Sequence, residues 1–194
     1  MITNKIEQQK ISADLREVTM LRDSGVKPYA DATISFEEVD FTEFQPTQLY
    51  VLQKALSRQA ILHEEMSRLG VDTFHMSEGV RFMREDTPEE HTMIPPIVEY
   101  DESFGFCLLD GTHRSYTARQ LGEKSLGAIV ITGVSSELPI HSYPNSWEEM
   151  EIWQSIPEDV TKKRRYRLAN DHASLFRDLS KINNSIARQP GTAA

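Results

Sequence analysis

The chain has 194 residues, a net charge of −9, 39% hydrophobic residues and 26% charged residues. This balance is typical of a globular protein and excludes an intrinsically disordered chain. No apolar run approaches the ~20 residues that span a bilayer, and residues 1–10 lack the apolar core of a signal peptide. The single cysteine, Cys107, excludes an internal disulfide and a cysteine-rich zinc site. We therefore expect a cytoplasmic protein without a membrane partner.

The charge is distributed unevenly along the chain. Residues 161–194 carry a net charge of +6, so the first 160 residues carry −15. An acidic body argues against wrapping nucleic acid over the whole surface. The tail nevertheless contains a dense basic run made of Lys162, Lys163, Arg164, Arg165 and Arg167. This run allows three interpretations. It binds the phosphates of nucleic acid, it is the solvated start of a helix that neutralises the acidic body, or it contacts a bound nucleotide or phosphorylated substrate.

The first half of the chain contains three predicted elements. Apolar residues at helical spacing predict a helix over 5–24, and residues 33–41 favour a strand. Pro46 is expected to begin a long helix that Gly70 ends. Residues 71–94 are polar and predict an irregular segment, with a short helix near 80–83.

The second half predicts an alternation of strands and helices. In chain order these are a hairpin of strands 97–100 and 106–109, a helix over 112–121, a buried strand over 126–132, a short helix over 147–154 and an amphipathic helix over 170–188. The end of the chain after Gln189 should fray. Trp147 and Trp153 are interpreted as packing anchors rather than as a platform for stacking bases.

The segment from Asp110 to Ser115 is the best candidate for a functional site. A buried strand ends in Asp110-Gly111 and a helix follows at once, so unpaired amides of the first helical turn face an incoming anion. Gly111 allows a phosphate to approach the backbone, and the next four side chains can donate hydrogen bonds. We expect Gly111, Thr112, His113, Arg114 and Ser115 to bind phosphate, although an ordinary capped turn uses the same residue types.

Asp110 needs a different task, because its carboxylate would repel a bare phosphate. It can hold Mg²⁺ beside the phosphates or cap the helix by accepting an amide hydrogen bond. His113 can donate to a phosphate oxygen or carry a proton during catalysis.

These residues also resemble a known family. The run Leu109-Asp-Gly-Thr-His-Arg-Ser-Tyr-Thr-Ala-Arg-Gln-Leu-Gly122 follows a hairpin that starts at Pro95-Pro-Ile-Val and precedes the strand Ala128-Ile-Val-Ile. This arrangement is similar to the ParB/sulfiredoxin superfamily over residues 33–133. The resemblance implies an α/β (α+β) fold, with a single ParB/sulfiredoxin-like domain between helical extensions at 1–32 and 134–194.

Branches of that superfamily differ at a few positions. Sulfiredoxins need a cysteine where this chain has Thr112, and partition proteins need more residues than follow Thr132. Free serine kinases carry Asp-Gly-His-His-Arg, which is similar to Asp110-Gly-Thr-His-Arg here. Those kinases also have a His-Glu pair before the long helix, where this chain reads Pro46-Thr47-Gln48, so Glu43 is the substitute candidate for their catalytic base.

The resemblance nearest to the serine kinases implies a nucleotide-binding phosphotransferase. Its substrate would be a small hydroxyl-bearing metabolite such as a free amino acid, and its cofactor would be Mg²⁺ with ATP or ADP, or with CTP. The expected catalytic residues are Asp110, His113 and Glu43, with Asp110 also the metal ligand. The alternatives are a partition-like module that binds nucleic acid through the basic run, and a nucleotide sensor without turnover. The sequence leaves a homo-oligomer open.

Overall fold

The computed structural model describes residues 2–84, 87–168 and 170–182. Its strands are β1 (Ile2–Ile6), β2 (Thr33–Asp40), β3 (Phe44–Pro46), β4 (Tyr50–Leu52), β5 (Gly79–Arg84), β6 (Thr87–Met93), β7 (Ile97–Asp101), β8 (Gly105–Asp110), β9 (Ser125–Thr132), β10 (Ser142–Tyr143), β11 (Glu151–Trp153) and β12 (Arg165–Tyr166). The α-helices are α1 (Gln8–Arg16), α2 (Gln53–Arg68) and α3 (Thr112–Gln120). Three short 3-10 helices cover Val160–Lys162, His172–Leu175 and Leu179–Lys181. None of the helices in these ranges is long and apolar enough to cross a membrane.

A five-stranded mixed sheet forms the centre of the molecule. Its strand order is β2-β9-β7-β8-β3, with β9 parallel to β7 and β8 parallel to β3. The predicted strands at 33–41, 97–100, 106–109 and 126–132 are all confirmed in this sheet, as is the hairpin of β7 and β8. Together with the helices, the sheet confirms the predicted α+β class.

Each face of the sheet is covered by a different set of elements. Because neighbouring residues of a strand point to opposite faces, Val98 and Ile97 enter separate clusters of buried side chains. The Val98 cluster includes Leu56 of α2 and Ala118 of α3. The Ile97 cluster includes Ile11 and Leu15 of α1 and, near the other end of the chain, Leu179 and Ile182. Residues near both chain ends therefore pack against the Ile97 face, whereas Trp147 and Met150 of the predicted C-terminal extension lie in the Val98 cluster. The division at residues 32 and 133 stays a prediction.

The central strand β7 carries two buried carboxylates on that same face. Glu99 is 1% exposed and Asp101 is 6% exposed, and each is paired with an arginine from the C-terminal segment. Arg167 donates to Asp101 over 2.8 Å, and Arg177 donates to Glu99 over 2.5 Å. Buried charges are stable only when they are paired and hydrogen-bonded, so the C-terminal segment is needed to complete the core.

Arg177 satisfies all five of its N–H donors. Two of them bind the Glu99 carboxylate, and the other three bind the backbone carbonyl oxygens of Leu138, Pro139 and Leu175. Tyr29 donates its hydroxyl to Glu99 over 2.7 Å, and burial together with the Glu99 charge raises the pKa of Tyr29, so the hydroxyl remains a donor. The two chain ends also meet through the backbone, where Leu21 N–H binds the Phe176 carbonyl and Asp178 N–H binds the Thr19 carbonyl.

The only cysteine, Cys107, is fully buried in β8 beside Leu109 and Ile140. Burial, with smaller contributions from Asp101 and Glu99, raises the pKa of the Cys107 thiol to about 12. The thiol is therefore protonated and inaccessible at neutral pH.

Helix predictions near the N-terminus are only partly correct. The predicted helix over 5–24 is shorter, because residues 2–6 pair with β5 and residues 19–21 pair with the C-terminal segment. The long helix does not begin at Pro46, which lies in β3, but at Gln53. Within the segment 71–94, residues 71–78 contain no helix or strand, as predicted, but residues 79–84 and 87–93 form the antiparallel strands β5 and β6 in place of a helix at 80–83. The alternate residues Val80 and Phe82 of β5 are buried.

The two helices predicted beyond residue 146 are wrong within the described residues. Residues 151–153 form β11, which pairs in parallel with β4. Residues 170–182 contain two 3-10 helices separated by an extended Phe176, because Arg177 turns toward Glu99. The helical spacing of Leu175, Leu179 and Ile182 still identified three buried side chains. The remainder of the 170–188 helix and the end after Gln189 lie outside the described residues.

We expect Arg177→Met to lower the free energy of unfolding by about 3–5 kcal/mol, since it leaves a charged Glu99 buried without its partner. The measurement is urea unfolding at neutral pH. The matched control is Arg22→Met, which removes an exposed pair with Asp171 and should cost less than about 1 kcal/mol. Equal losses in the two variants would contradict the importance assigned to the buried pair.

Candidate functional site

The site is built where β8 ends and α3 begins. Gly111 lies between them with a left-handed φ of +89°, a conformation that favours glycine. A Cβ at this position would lie 2.8 Å from the Cβ of Pro96 and 3.1 Å from its Cα, so no side chain fits there. Gly111 is therefore required both by its backbone angle and by the close approach of Pro96.

The first turn of α3 provides backbone donors. The Ser115 N–H makes the first helical bond, to the Gly111 carbonyl over 2.9 Å, so the amides of Thr112, His113 and Arg114 have no acceptor within the helix. Thr112 and Ser115 are themselves buried, and the Ser115 hydroxyl has no hydrogen-bond partner. The predicted start of a helix at Thr112, directly after a strand that ends at Asp110, is confirmed.

His113 links α3 to the start of α2. Its Nε2 accepts a hydrogen bond from the backbone N–H of Leu52 over 3.1 Å, which places the proton of the neutral ring on Nδ1. Leu52 immediately precedes α2, so His113 fixes the two helix amino ends relative to one another.

Arg114 does not point outward as a phosphate fork. It is buried, and one of its terminal nitrogens donates to the Ile94 carbonyl over 2.5 Å while its Nε has no partner. Burial lowers the pKa of Arg114 to about 10, although the nearby Asp110 carboxylate opposes this shift. The positive charge of Arg114 therefore influences Asp110 from the protein interior.

Asp110 is half-buried at the end of β8. Within the described residues no side-chain hydrogen bond caps α3, so the structure does not show the capping role that the sequence left open for Asp110. Burial raises the pKa of the Asp110 carboxyl, and this effect exceeds the opposing influence of Arg114 and Arg164.

Arg164 reaches this corner from the C-terminal segment. It donates to the Thr47 hydroxyl over 2.6 Å and lies 3.5 Å from the Gln48 side-chain oxygen. Thr47 in turn donates to the Leu108 carbonyl over 2.9 Å. Burial lowers the pKa of Arg164, and the tyrosines Tyr166 and Tyr50 and the carboxylate of Asp110 are near enough to oppose this. Among the described residues, no carboxylate oxygen lies close enough to the Arg164 guanidinium to form an ion pair with it.

The other residues of the basic run have separate environments. Arg165 binds the Asn145 side chain over 2.7 Å, and Arg167 is paired with Asp101 under the rings of Phe104 and Tyr143. Lys162 is exposed and Lys163 is half-buried. Three of the five cations thus bind groups of the chain itself, which leaves nucleic-acid binding through this run a prediction.

Glu43 is not brought to the site. It lies in the turn before β3, and its carboxylate accepts the Asp40 N–H over 3.1 Å. Since Phe44 pairs in parallel with Phe106 at the start of β8, Asp110 is roughly 13 Å further along that strand at about 3.3 Å per residue. The same parallel pairing places Thr47 and Gln48, which follow β3, beside Asp110.

Sequence reasoning missed Arg164 as a neighbour of Asp110. The only local signal was the basic run itself, and nothing in it distinguishes the residue that folds inward. Thr47 and Gln48 could have been found, because the resemblance to the serine kinases already pointed to their position.

The donor set does not form a dedicated metal centre. No group of three or more histidine, cysteine or acidic side chains that could hold a metal occurs in the described ranges. The Mg²⁺ site expected at Asp110 stays a prediction.

The family model described as the ParB CE domain matches residues 10–156, which include α3 and the Asp110–Gly111 turn. The chain belongs to the ParB CE domain family. The predicted resemblance to a ParB-like domain is confirmed, while the serine kinase branch stays a prediction. No curated protein and no solved structure matches this ParB CE domain protein. Arg164 lies beyond the matched residues, so this part of the site is not covered by the family match.

Gly111→Ala should destabilise the protein clearly more than Gly122→Ala. Both positions have a positive φ, of +89° and +94°, which costs about 1–2 kcal/mol for alanine. Only Gly111 also faces Pro96, because the space around Gly122 is open. Thermal and urea unfolding of the two variants measure the difference. Equal costs would show that Pro96 can move away freely.

A second prediction concerns His141, which is buried, stacks on Phe176 and has an unpartnered Nε2. Burial, with contributions from Arg164, Arg177 and His172, lowers the pKa of His141 well below 6.5. The unfolded chain therefore binds a proton that the folded chain does not, and stability falls as the pH drops below about 6.5. His141→Gln should reduce this loss by up to about 1.4 kcal/mol per pH unit, measured by urea unfolding between pH 7.5 and 5.5.

His75 provides a control of opposite sign. Burial lowers its pKa, but Glu38, Glu123 and Asp72 more than offset this, so the pKa of His75 is raised. His75 then contributes stability below about pH 6.5 that is lost as the pH rises. His75→Gln should therefore steepen the acid loss, and the same response in both variants would contradict the assignment.

Proposed function

We propose that this ParB CE domain protein binds a nucleotide through its phosphates at the amino end of α3 and transfers a phosphoryl group to a small hydroxyl-bearing metabolite. The observation that carries this proposal is an excess of positive charge at a partly desolvated corner. Arg114 and Arg164 both lie near Asp110, and neither forms an ion pair within the described part of the chain.

Three features of this corner favour a polyanion. The guanidinium groups of Arg114 and Arg164 both influence the Asp110 carboxyl, and neither has an ion pair among the described residues. The α3 terminus adds backbone amides whose N–H groups have no acceptor within the helix, and about half a positive charge. Among the described residues, the Arg164 guanidinium binds the neutral side chains of Thr47 and Gln48, which it can exchange for a charged phosphate at little cost.

The same corner supports phosphoryl transfer. Such reactions depend mainly on positioning and on charge stabilisation, so a strong base is not essential once Glu43 is set aside. We assign Asp110 as the protein ligand of a Mg²⁺ ion, which when bound would offset charge on the phosphoryl oxygens. His113, fixed by Leu52, keeps its ring beside the first turn of α3 and can hold a proton there.

The first test is nucleotide binding by calorimetry and by thermal shift, with ATP, ADP and CTP in the presence and absence of Mg²⁺. Arg164→Gln should weaken binding about tenfold or more, as expected for loss of a charge-assisted contact. Arg165→Gln is the matched control, since its side chain binds Pro144 and Asn145 rather than Thr47, and it should leave affinity within about twofold.

The second part of the test is product formation with free serine, threonine or homoserine. Asp110→Asn should lower turnover by about 100-fold while leaving Mg²⁺-free nucleotide binding intact. Nucleotide binding without any product would support the nucleotide sensor instead. Absence of nucleotide binding, together with salt-dependent DNA binding that Lys162→Gln and Lys163→Gln abolish, would overturn the proposal in favour of the nucleic-acid module.

A further inference from the structure

Trp153 is connected to the candidate phosphate site through strand β4. It is the last residue of β11, which pairs in parallel with β4 so that Trp153 is opposite Leu52. The Leu52 N–H is the group that binds His113 in the first turn of α3. One strand pairing and one hydrogen bond to the His113 side chain thus connect Trp153 to the helix amino end where phosphates are proposed to bind.

The indole ring is held in place and remains partly uncovered. Its Nε1 donates to the Glu151 carboxylate over 2.6 Å, and its ring centroid lies 5.5 Å from that of Tyr50 at an interplanar angle of 36°. Tyr50 is buried, whereas Trp153 is half-exposed. The N–H of Leu49, next to Tyr50, binds the Lys163 carbonyl over 3.1 Å, and Arg164 binds the Thr47 hydroxyl, so the segment that carries Tyr50 runs beside Arg164.

The other tryptophan shows what a packing anchor looks like in this protein. Trp147 is buried, donates its Nε1 to the Phe44 carbonyl and contacts Phe41 and Phe44 edge to face. Trp153 belongs to none of the four buried clusters. Its position therefore differs from the packing role expected from the sequence.

We propose that Trp153 stacks on the nucleobase of the nucleotide whose phosphates bind at the amino end of α3. This inference rests on the proposed function and adds the base-binding half of the same ligand. A large rigid π-face beside a phosphate site fits a purine or pyrimidine ring, and stacking tolerates any base because every base has a π-face. Stacking of this kind requires no hydrogen bonds to the base.

The experiment compares ATP with inorganic tripolyphosphate, which has the phosphates but no base. Binding of each is measured by calorimetry for the intact chain, for Trp153→Leu and for the milder Trp153→Phe. Stacking predicts that Trp153→Leu weakens ATP binding about tenfold, that Trp153→Phe has a smaller effect, and that tripolyphosphate binding is unchanged. Ile156→Ala, which shortens an exposed apolar side chain of the same segment, is the control and should change neither.

Fluorescence supplies an independent readout. In a Trp147→Phe background Trp153 is the single tryptophan, and ATP should quench its emission while tripolyphosphate should not. Equal weakening of both ligands by Trp153→Leu, or unchanged ATP binding, would overturn the stacking inference but leave the phosphate site intact. Failure of both ligands to bind the intact chain would overturn the proposed function and the inference with it.

Discussion

Two buried carboxylates on the central strand determine how this molecule is assembled. Glu99 and Asp101 point to the same face of β7, where isolated charges would be strongly destabilising. Each is neutralised by an arginine that is distant in sequence, Arg177 and Arg167 respectively. Because the same Glu99 carboxylate also accepts the Tyr29 hydroxyl, one acidic group holds both ends of the described chain against the sheet.

This pairing also determines the electrostatics of the candidate site. The ion pairs of Arg167 and Arg177 fix the C-terminal segment to β7 at two positions. Arg164 lies three residues before the first of them. Its guanidinium is thereby held beside Thr47 and Asp110 without a full counter-charge. The core and the candidate site are therefore coupled, since the ion pairs that complete the core also position Arg164 near Asp110.

The block from residue 97 to residue 132 was predictable because its local signals agree with its final structure. The double proline before β7, the Asp110-Gly111 turn and Gly122 after α3 all indicate the observed boundaries. The β5–β6 hairpin was missed because its polar residues hide the alternation of Val80 and Phe82. Pro46 misled because a proline that favours a helix start also suits the short edge strand β3, which pairs with β8.

The site residues divide in the same way. Asp110, Gly111 and His113 were identified from a continuous motif, and their location at the strand–helix junction followed directly. Arg114 could not be placed, because the direction of its side chain depends on the Ile94 carbonyl contributed by another segment. Arg164 and Glu43 depend on strand pairing and on distant ion pairs, and neither can be read from neighbouring residues. Long-range contacts therefore limit the prediction more than local propensity does.

The enclosure of Cys107 has a practical consequence for biophysical work on this protein. Its protonated, fully covered thiol leaves the outside of the native molecule without a group that reacts with maleimides. A cysteine introduced at a chosen surface position would then carry a fluorophore or a spin label at a single place in the otherwise unaltered chain.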